Sequence, residues 1–209
     1  MKIAVVAANG KAGKLITEEA VNRGLDVTAV VRSENKSVAK KVIKKDILAL
    51  TKDDLKNFDV VIDAFGAWKP EDLPNHTKTS QHLCNLLSGT DTRLLIVGGA
   101  GSLFVNKEHT LQVKDTPEFP KEFVPLATAQ ADELVELRKR NDVKWTFVSP
   151  AGDFQADGER TGKYILAGEE FTLNSKGESI ISYADYAVAM IDEATKGNNI
   201  QKRISVVRE

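Results

Sequence analysis

The sequence predicts one α/β domain whose core is a doubly wound, parallel sheet with a small C-terminal lobe on the substrate side. Three observations predict it. Short apolar runs return along the chain at intervals that leave room for one helix between them. Several of those runs are apolar throughout, the pattern of strands covered on both faces. The length of 209 residues, 42% of them hydrophobic, closes one sizeable core without requiring a second.

In chain order, Ile3 to Ala8 forms the first strand, and Leu15, Ile16, Ala20 and Val21 put apolar groups at helical spacing before Gly24 stops the helix. Val27 to Val31 is the second strand. A short helix over Asn35 to Lys41, a weak strand at Val42 to Lys45 and a short helix at Lys52 to Phe58 lead to the strand Val60 to Ala64. A longer helix within Glu71 to Leu87 is entered through Pro74 and ends near Gly89, and Leu94 to Val97 is the fifth strand. The stretch from Gly98 to Pro125, rich in Gly, Pro and charge, reads as a loop long enough to be functional. Leu126 to Asn141 resumes a helical pattern, and Trp145 to Val148 is the next strand. From Ala151 to Glu209 glycines punctuate short β-like pieces before a helix at Tyr183 to Thr195 and a last strand at Ile200 to Val207. This tail is the expected lobe.

The formal net charge of −1 supplies no field to attract nucleic acid or an anionic membrane, so an anion site must be local and the partner a small molecule. Cys84 is the only cysteine, which leaves no internal disulfide and no thiolate metal cage and suits a cytoplasmic protein. The apolar start Met1 to Ala8 is too short for a secretion signal and runs into Asn9-Gly10-Lys11, so a first strand explains it better. No segment approaches the roughly 20 apolar residues of a membrane span.

The chemistry begins at the turn Ala7-Ala8-Asn9-Gly10-Lys11-Ala12-Gly13, where the first strand hands the chain to the first helix. That is the context of a dinucleotide-binding loop on a Rossmann-type sheet. Gly10 lets the backbone approach a pyrophosphate, Gly13 permits close helix packing, and the helix N-terminus supplies free N–H groups and partial positive charge, to which Lys11 adds a full one. Ala7 stands where the usual fingerprint has its first glycine, so the alternative is a turn that merely needs small residues. At the end of the second strand stands Arg32, where an acidic residue would serve a ribose hydroxyl. An arginine suits a 2′-phosphate, which favours NADP over NAD, unless the side chain is simply solvated.

With those residues placed, the chain resembles the atypical short-chain dehydrogenase/reductases, and within them the Rrf2-linked NADH-flavin reductases, with biliverdin-flavin reductases and NmrA-like sensors as more distant relatives. The resemblance runs nearly end to end, through Asn9 to Gly13, Asp59 to Ala67, Arg93 to Leu103, Trp145 to Ala151, Gly158 to Tyr164 and Ile181 to Ala187. It implies that Asp46 and Ile47 contact adenine, that Ala64, Phe65 and Gly66 line a ribose, and that Ser149, Pro150 and Ala151 hold the nicotinamide. Gly98 and Gly99, after the fifth strand, join the cofactor contacts. Each has a plain alternative, such as core packing for Phe65 or strand termination for Pro150. The chain departs from relatives that oxidise alcohols: where they carry Tyr-x-x-x-Lys, it has Leu126-Ala127-Thr128-Ala129-Gln130. The usual means of removing a hydroxyl proton is missing.

Hydride transfer to a flavin or quinone-like acceptor asks less of the protein, because the acceptor is already electron-poor and positioning suffices. The expected function is therefore an NAD(P)H-dependent reductase, with flavin as substrate rather than bound cofactor. The alternative is a non-catalytic NmrA-like redox sensor. Ser102 either donates to the acceptor or is a turn serine. His109 either closes over the site or lies on the surface. Trp68 either stacks on a flavin or packs in the core. His76, His82 and Cys84 do not share one helix face, so no metal site is expected. Asp185 is expected to cap or tie down the lobe.

Overall fold

The computed structural model describes residues 1–209. Ten strands and five helices follow in the order β1 (Lys2–Val6), α1 (Lys11–Asn22), β2 (Asp26–Val31), β3 (Lys41–Lys44), α2 (Lys52–Leu55), β4 (Val60–Asp63), α3 (Asn75–Leu87), β5 (Arg93–Val97), α4 (Val124–Leu137), β6 (Lys144–Ser149), β7 (Asp153–Gln155), β8 (Tyr164–Ala167), β9 (Ile180–Ser182), α5 (Tyr183–Lys196) and β10 (Lys202–Arg208). Eight strands form one sheet in the order β3-β2-β1-β4-β5-β6-β10-β8, parallel except for β8, which runs against β10. The strand order reverses between β1 and β4. At such a switch point the loops leaving the two strands diverge and open a crevice at the carboxyl edge.

The period-two alternation of strand side chains divides the apolar residues between two cores. Ile3, Val5, Val60, Ile62, Leu95 and Val148 face the layer of α1 and α5. Ala4, Val6, Val61, Leu94, Ile96, Trp145 and Phe147 face the layer of α3 and α4. Both faces are covered, which is why these strands read as continuous apolar runs. The β3 edge carries exposed Lys41 and Lys44, charges that discourage pairing with another chain.

The expected helix over Asn35 to Lys41 does not form. The Asn35 carboxamide accepts from Ser37 N (3.0 Å) and Ser37 Oγ (2.8 Å) and donates to Ala39 O (2.9 Å). These local bonds compete with a helical ladder, and the chain bends into β3 instead. Residues 151–209 divide. β10 and β8 complete the main sheet and α5 lies against α1, while only the parallel pair β7–β9 stands outside the sheet. Ser182 caps α5 by accepting from Asp185 N (2.9 Å). The Asp185 carboxylate accepts from Thr161 N, Gly162 N and Thr161 Oγ1 at 2.7–2.9 Å, tying the loop before β8 to α5.

Candidate functional site

The carboxyl edge of the sheet collects the expected cofactor residues from five loops. After β1, Ala7 takes the left-handed conformation (φ 56°), and its carbonyl accepts from Gly10 N at 2.9 Å. That is the conformation a glycine adopts freely, so the alanine fills the fingerprint's first position at a strain of about 1 kcal/mol. Gly13 sits so close beneath this turn that a Cβ on it would lie 2.5 Å from Ala7 O and 3.0 Å from Ala8 Cα. Gly10 opens α1 with no side chain capping it, and the amides of Lys11, Ala12 and Gly13 have no backbone acceptor. Free first-turn amides at the positive end of a helix make an anion site.

Asn9 turns away from the turn's mouth. Its amide donates to Glu34 O (2.7 Å) and its carbonyl accepts from Lys36 N (2.7 Å). The side chain thereby bolts the β1–α1 turn to the loop that leaves β2, where Arg32 is exposed and enters no ion pair. After β3, Asp46 is exposed and its carboxylate accepts from Leu48 N (2.9 Å), with Ile47 half-buried beside it.

After β4, Ala64 N donates to Val6 O (3.1 Å), carrying the parallel ladder one residue past the strand. Phe65 N donates to the Asp63 carboxylate (3.0 Å), and Gly66 lies under the Trp68 indole, where a Cβ would meet Cη2 at 2.9 Å. Trp68 is 69% exposed, so its ring is available at the rim rather than spent in the core. After β5, Gly98 N donates to Val148 O (2.9 Å), and the Phe147 ring fills the space a Gly98 side chain would take. The Gln130 carboxamide does the same at Gly99. After β6, Ser149 is fully buried and its hydroxyl has no partner, while Pro150 and Ala151 are buried behind it.

The two side chains expected to carry catalysis are engaged elsewhere. Ser102 is 3% exposed, and its hydroxyl accepts from Arg203 Nη1 at 3.1 Å. Arg203 is itself buried, pairs with Glu169 and lies 5.7 Å over the Phe104 ring. His109, also left-handed (φ 53°), stacks on Phe104 at 4.6 Å and holds Glu170 at 2.6 Å. With Phe104 N donating to Glu169 O (2.9 Å), these contacts strap the long loop between β5 and α4 to the segment after β8.

His76, His82 and Cys84 do not converge. His82 Nε2 meets Leu50 O (3.1 Å), His76 Nε2 meets the Ala67 backbone, and burial pushes the Cys84 thiol up to about 12. Sequence reasoning missed three things: the clamping role of Asn9, the presence of Gln130 at the β5 edge, and a buried group of Asp63, His76 and Glu133. Gln130 had a signal, since it falls four residues after Leu126 on the helix that faces the β5 loop.

Two features of the chain fit a dinucleotide: uncapped helix amides beneath a turn that admits no side chain at Gly13, and an orphaned buried hydroxyl on Ser149 at the same edge. Comparison with known proteins agrees. A family model described as NAD(P)H-binding matches residues 7–195. The chain is 44% identical to the Bacillus subtilis (strain 168) protein YwnB over 212 residues, covering 100% of this chain and 99% of YwnB. It is 61% identical to a Streptococcus pneumoniae TIGR4 protein of known crystal structure, provisionally described as an NADH-flavin reductase, with a TM-score of 0.98 and full coverage of both chains. A Bacteroides thetaiotaomicron structure provisionally described as an epimerase is 35% identical, with a TM-score of 0.86, over 99% of this chain and 96% of that one. The likeness runs along the whole domain, and the chain belongs to the NAD(P)H-binding family.

Proposed function

We propose that this protein is an NADPH-dependent reductase that passes a hydride to a flavin or a related planar acceptor bound at the carboxyl edge of the sheet. When bound, the reduced nicotinamide supplies the hydride, and the acceptor takes it together with a proton from solvent. The first-turn amides of α1 hold the pyrophosphate, and Arg32 meets a 2′-phosphate with its planar fork. Asn9 keeps these two anchors in register. Ser149 gives its free hydroxyl to the nicotinamide end, and Trp68 offers a stacking face at the rim.

The observation that carries the reading is the pair Leu126 and Gln130 on α4, where alcohol-oxidising relatives have a tyrosine and a lysine. Neither can remove a hydroxyl proton at neutral pH, so epimerase or alcohol dehydrogenase chemistry is disfavoured, although one similar structure carries an epimerase description. Reduction of an electron-poor ring needs no such base. The S. pneumoniae relative's description supports a flavin acceptor. The test is oxidation of NADPH and NADH by the purified protein with FMN, riboflavin and a simple quinone as separate acceptors. Acceptor-dependent turnover favouring NADPH is expected. Cofactor binding without turnover on any acceptor would replace the reductase by a redox sensor.

A further inference from the structure

Behind the cofactor edge lies a group of ionisable side chains that the reading above does not use. Asp63 ends β4, His76 lies on α3 and Glu133 on α4, and each is 2% exposed. No lysine or arginine pairs with any of them. Asp63 and His76 bond instead to one short piece of backbone, while the Ser80 hydroxyl lies against the Glu133 carboxyl. Asp63 accepts from Phe65 N at 3.0 Å. His76 Nε2 stands 3.3 Å from Ala67 N and 3.2 Å from Ala67 O, and its ring meets Phe65 edge-on at 5.4 Å. On the other side of the imidazole, Nδ1 faces Glu133 Oε2 at 3.9 Å, and that oxygen is buried without a hydrogen-bond partner. Cys84 on α3 also faces Asp63 and Glu133, with Arg140 and Asp142 beyond it, and burial keeps its thiol protonated.

The chemistry of the imidazole couples the two sides. A neutral ring has one N–H. If Glu133 is protonated, its O–H is directed at a bare Nδ1, and Nε2–H donates to Ala67 O. If Glu133 is ionised, Nδ1–H is directed at the carboxylate, and the bare Nε2 accepts from Ala67 N. At 3.9 Å the two groups make no direct hydrogen bond, so the charge on Glu133 acts on the ring through space and biases which polar atom of Ala67 is held. Asp63, bonded two residues earlier, adds a second proton-dependent anchor to the same segment. Burial raises both carboxyls, Asp63 to about 6, and lowers His76, so the group exchanges protons in a range where exposed carboxyls do not.

We propose that His76 is a positioning residue for the Ala64–Ala67 segment and that the Asp63–His76–Glu133 group makes the cofactor site respond to pH, an inference that rests on this segment lining the cofactor as proposed above. Deprotonated Asp63 gives Phe65 N–H a charged acceptor, so this one bond is strongest above the group's titration, although burying the charge costs the fold as a whole, and cofactor affinity falls as the pH drops through it.

The test compares the wild type with Asp63→Asn, Glu133→Gln and the double variant, all close in shape to the original. NADPH affinity is measured by fluorescence titration between about pH 5 and 8, and the ring nitrogens of His76 are followed by nitrogen NMR over the same range without cofactor. The wild type is expected to lose about tenfold in affinity toward the acid end, with the His76 nitrogens changing over the same interval. The double variant is expected to hold its affinity within about twofold and to lose that change in the ring nitrogens. A double variant that keeps the wild-type affinity profile, or whose His76 signals titrate as in the wild type, overturns the proposal. If NADPH binds at no pH, the proposed function fails instead, and the NMR comparison still decides whether the three groups share their protons.

Discussion

Asp63→Asn should make the cofactor-free protein more stable at neutral pH, although it removes a charged acceptor from a backbone amide. The carboxyl is 2% exposed and has one hydrogen bond, from Phe65 N, so burial dominates and lifts it from its ordinary 3.8 to about 6. Between those two values the native state holds a proton that the unfolded chain has lost. Stability from this group is thus fully present below about pH 3.8 and is lost as the pH rises through about 6. A shift of roughly two units corresponds to about 3 kcal/mol lost by pH 7. Asparagine cannot ionise and still offers an oxygen to Phe65 N, but it buries an amide N–H2 with no partner, which costs about 1 kcal/mol. The variant should therefore exceed the wild type by about 2 kcal/mol at pH 7 and fall slightly below it near pH 4. Urea unfolding at both pH values reads the difference directly. Glu133 titrates in both proteins, so the difference isolates Asp63 and its coupling to that neighbour. A difference that is the same at both pH values, or that shrinks as the pH rises, would refute the reasoning.

Gly13→Ala gains about 1 kcal/mol of helix propensity, but its Cβ meets Ala7 O at 2.5 Å, a backbone overlap worth about 1–3 kcal/mol. A net loss in urea unfolding with weakened NADPH binding is expected, and a more stable variant would show that the turn is not close-packed. Arg32→Ala should weaken NADPH binding at least tenfold and leave NADH nearly unchanged, since a charge-assisted contact of about 1.5–3 kcal/mol is lost only with the 2′-phosphate; equal effects in parallel titrations would remove the NADP preference. Arg203→Met leaves Glu169 to its exposed partner Arg138 and frees Ser102. A cost of roughly 3 kcal/mol and faster proteolysis of the loop between β5 and α4 are expected, and an unchanged cleavage rate would mean the loop is held by something else.

The sheet was legible because its strands are buried on both faces. Ile3 to Val6 alternate between two cores with nothing polar between them, and in Trp145 to Val148 the one polar residue, Thr146, is buried with its hydroxyl bonded to Asn199 O and Arg93. Local chemistry was less legible where a side chain competes with the backbone. Asn35 bonds its own neighbours and bends a segment whose composition tolerates a helix. The loops of the candidate site could be placed because each follows a recognisable strand, but the orientation of their polar groups could not. Ser102 follows β5 as an acceptor contact would, yet it is claimed by an arginine 101 residues later, a partner no local pattern announces. Ala7 looked like a defect because spacing records residue type and not backbone conformation; its φ of 56° supplies what the missing glycine would. Glu133 lies between Asp132 and Glu136 on α4, where nothing in the local sequence marks it as buried, and the packing of α3 against α4 buries it.

The most direct test of the central claim is anaerobic mixing of the protein, saturated with NADPH, with one equivalent of FMN. The oxidised flavin band is expected to bleach at the same rate as the nicotinamide absorbance is lost, with the rate collapsing in Gly13→Ala. Saturating NADPH with no bleaching of the flavin would contradict the claim and leave a protein that binds the nucleotide without passing on its hydride.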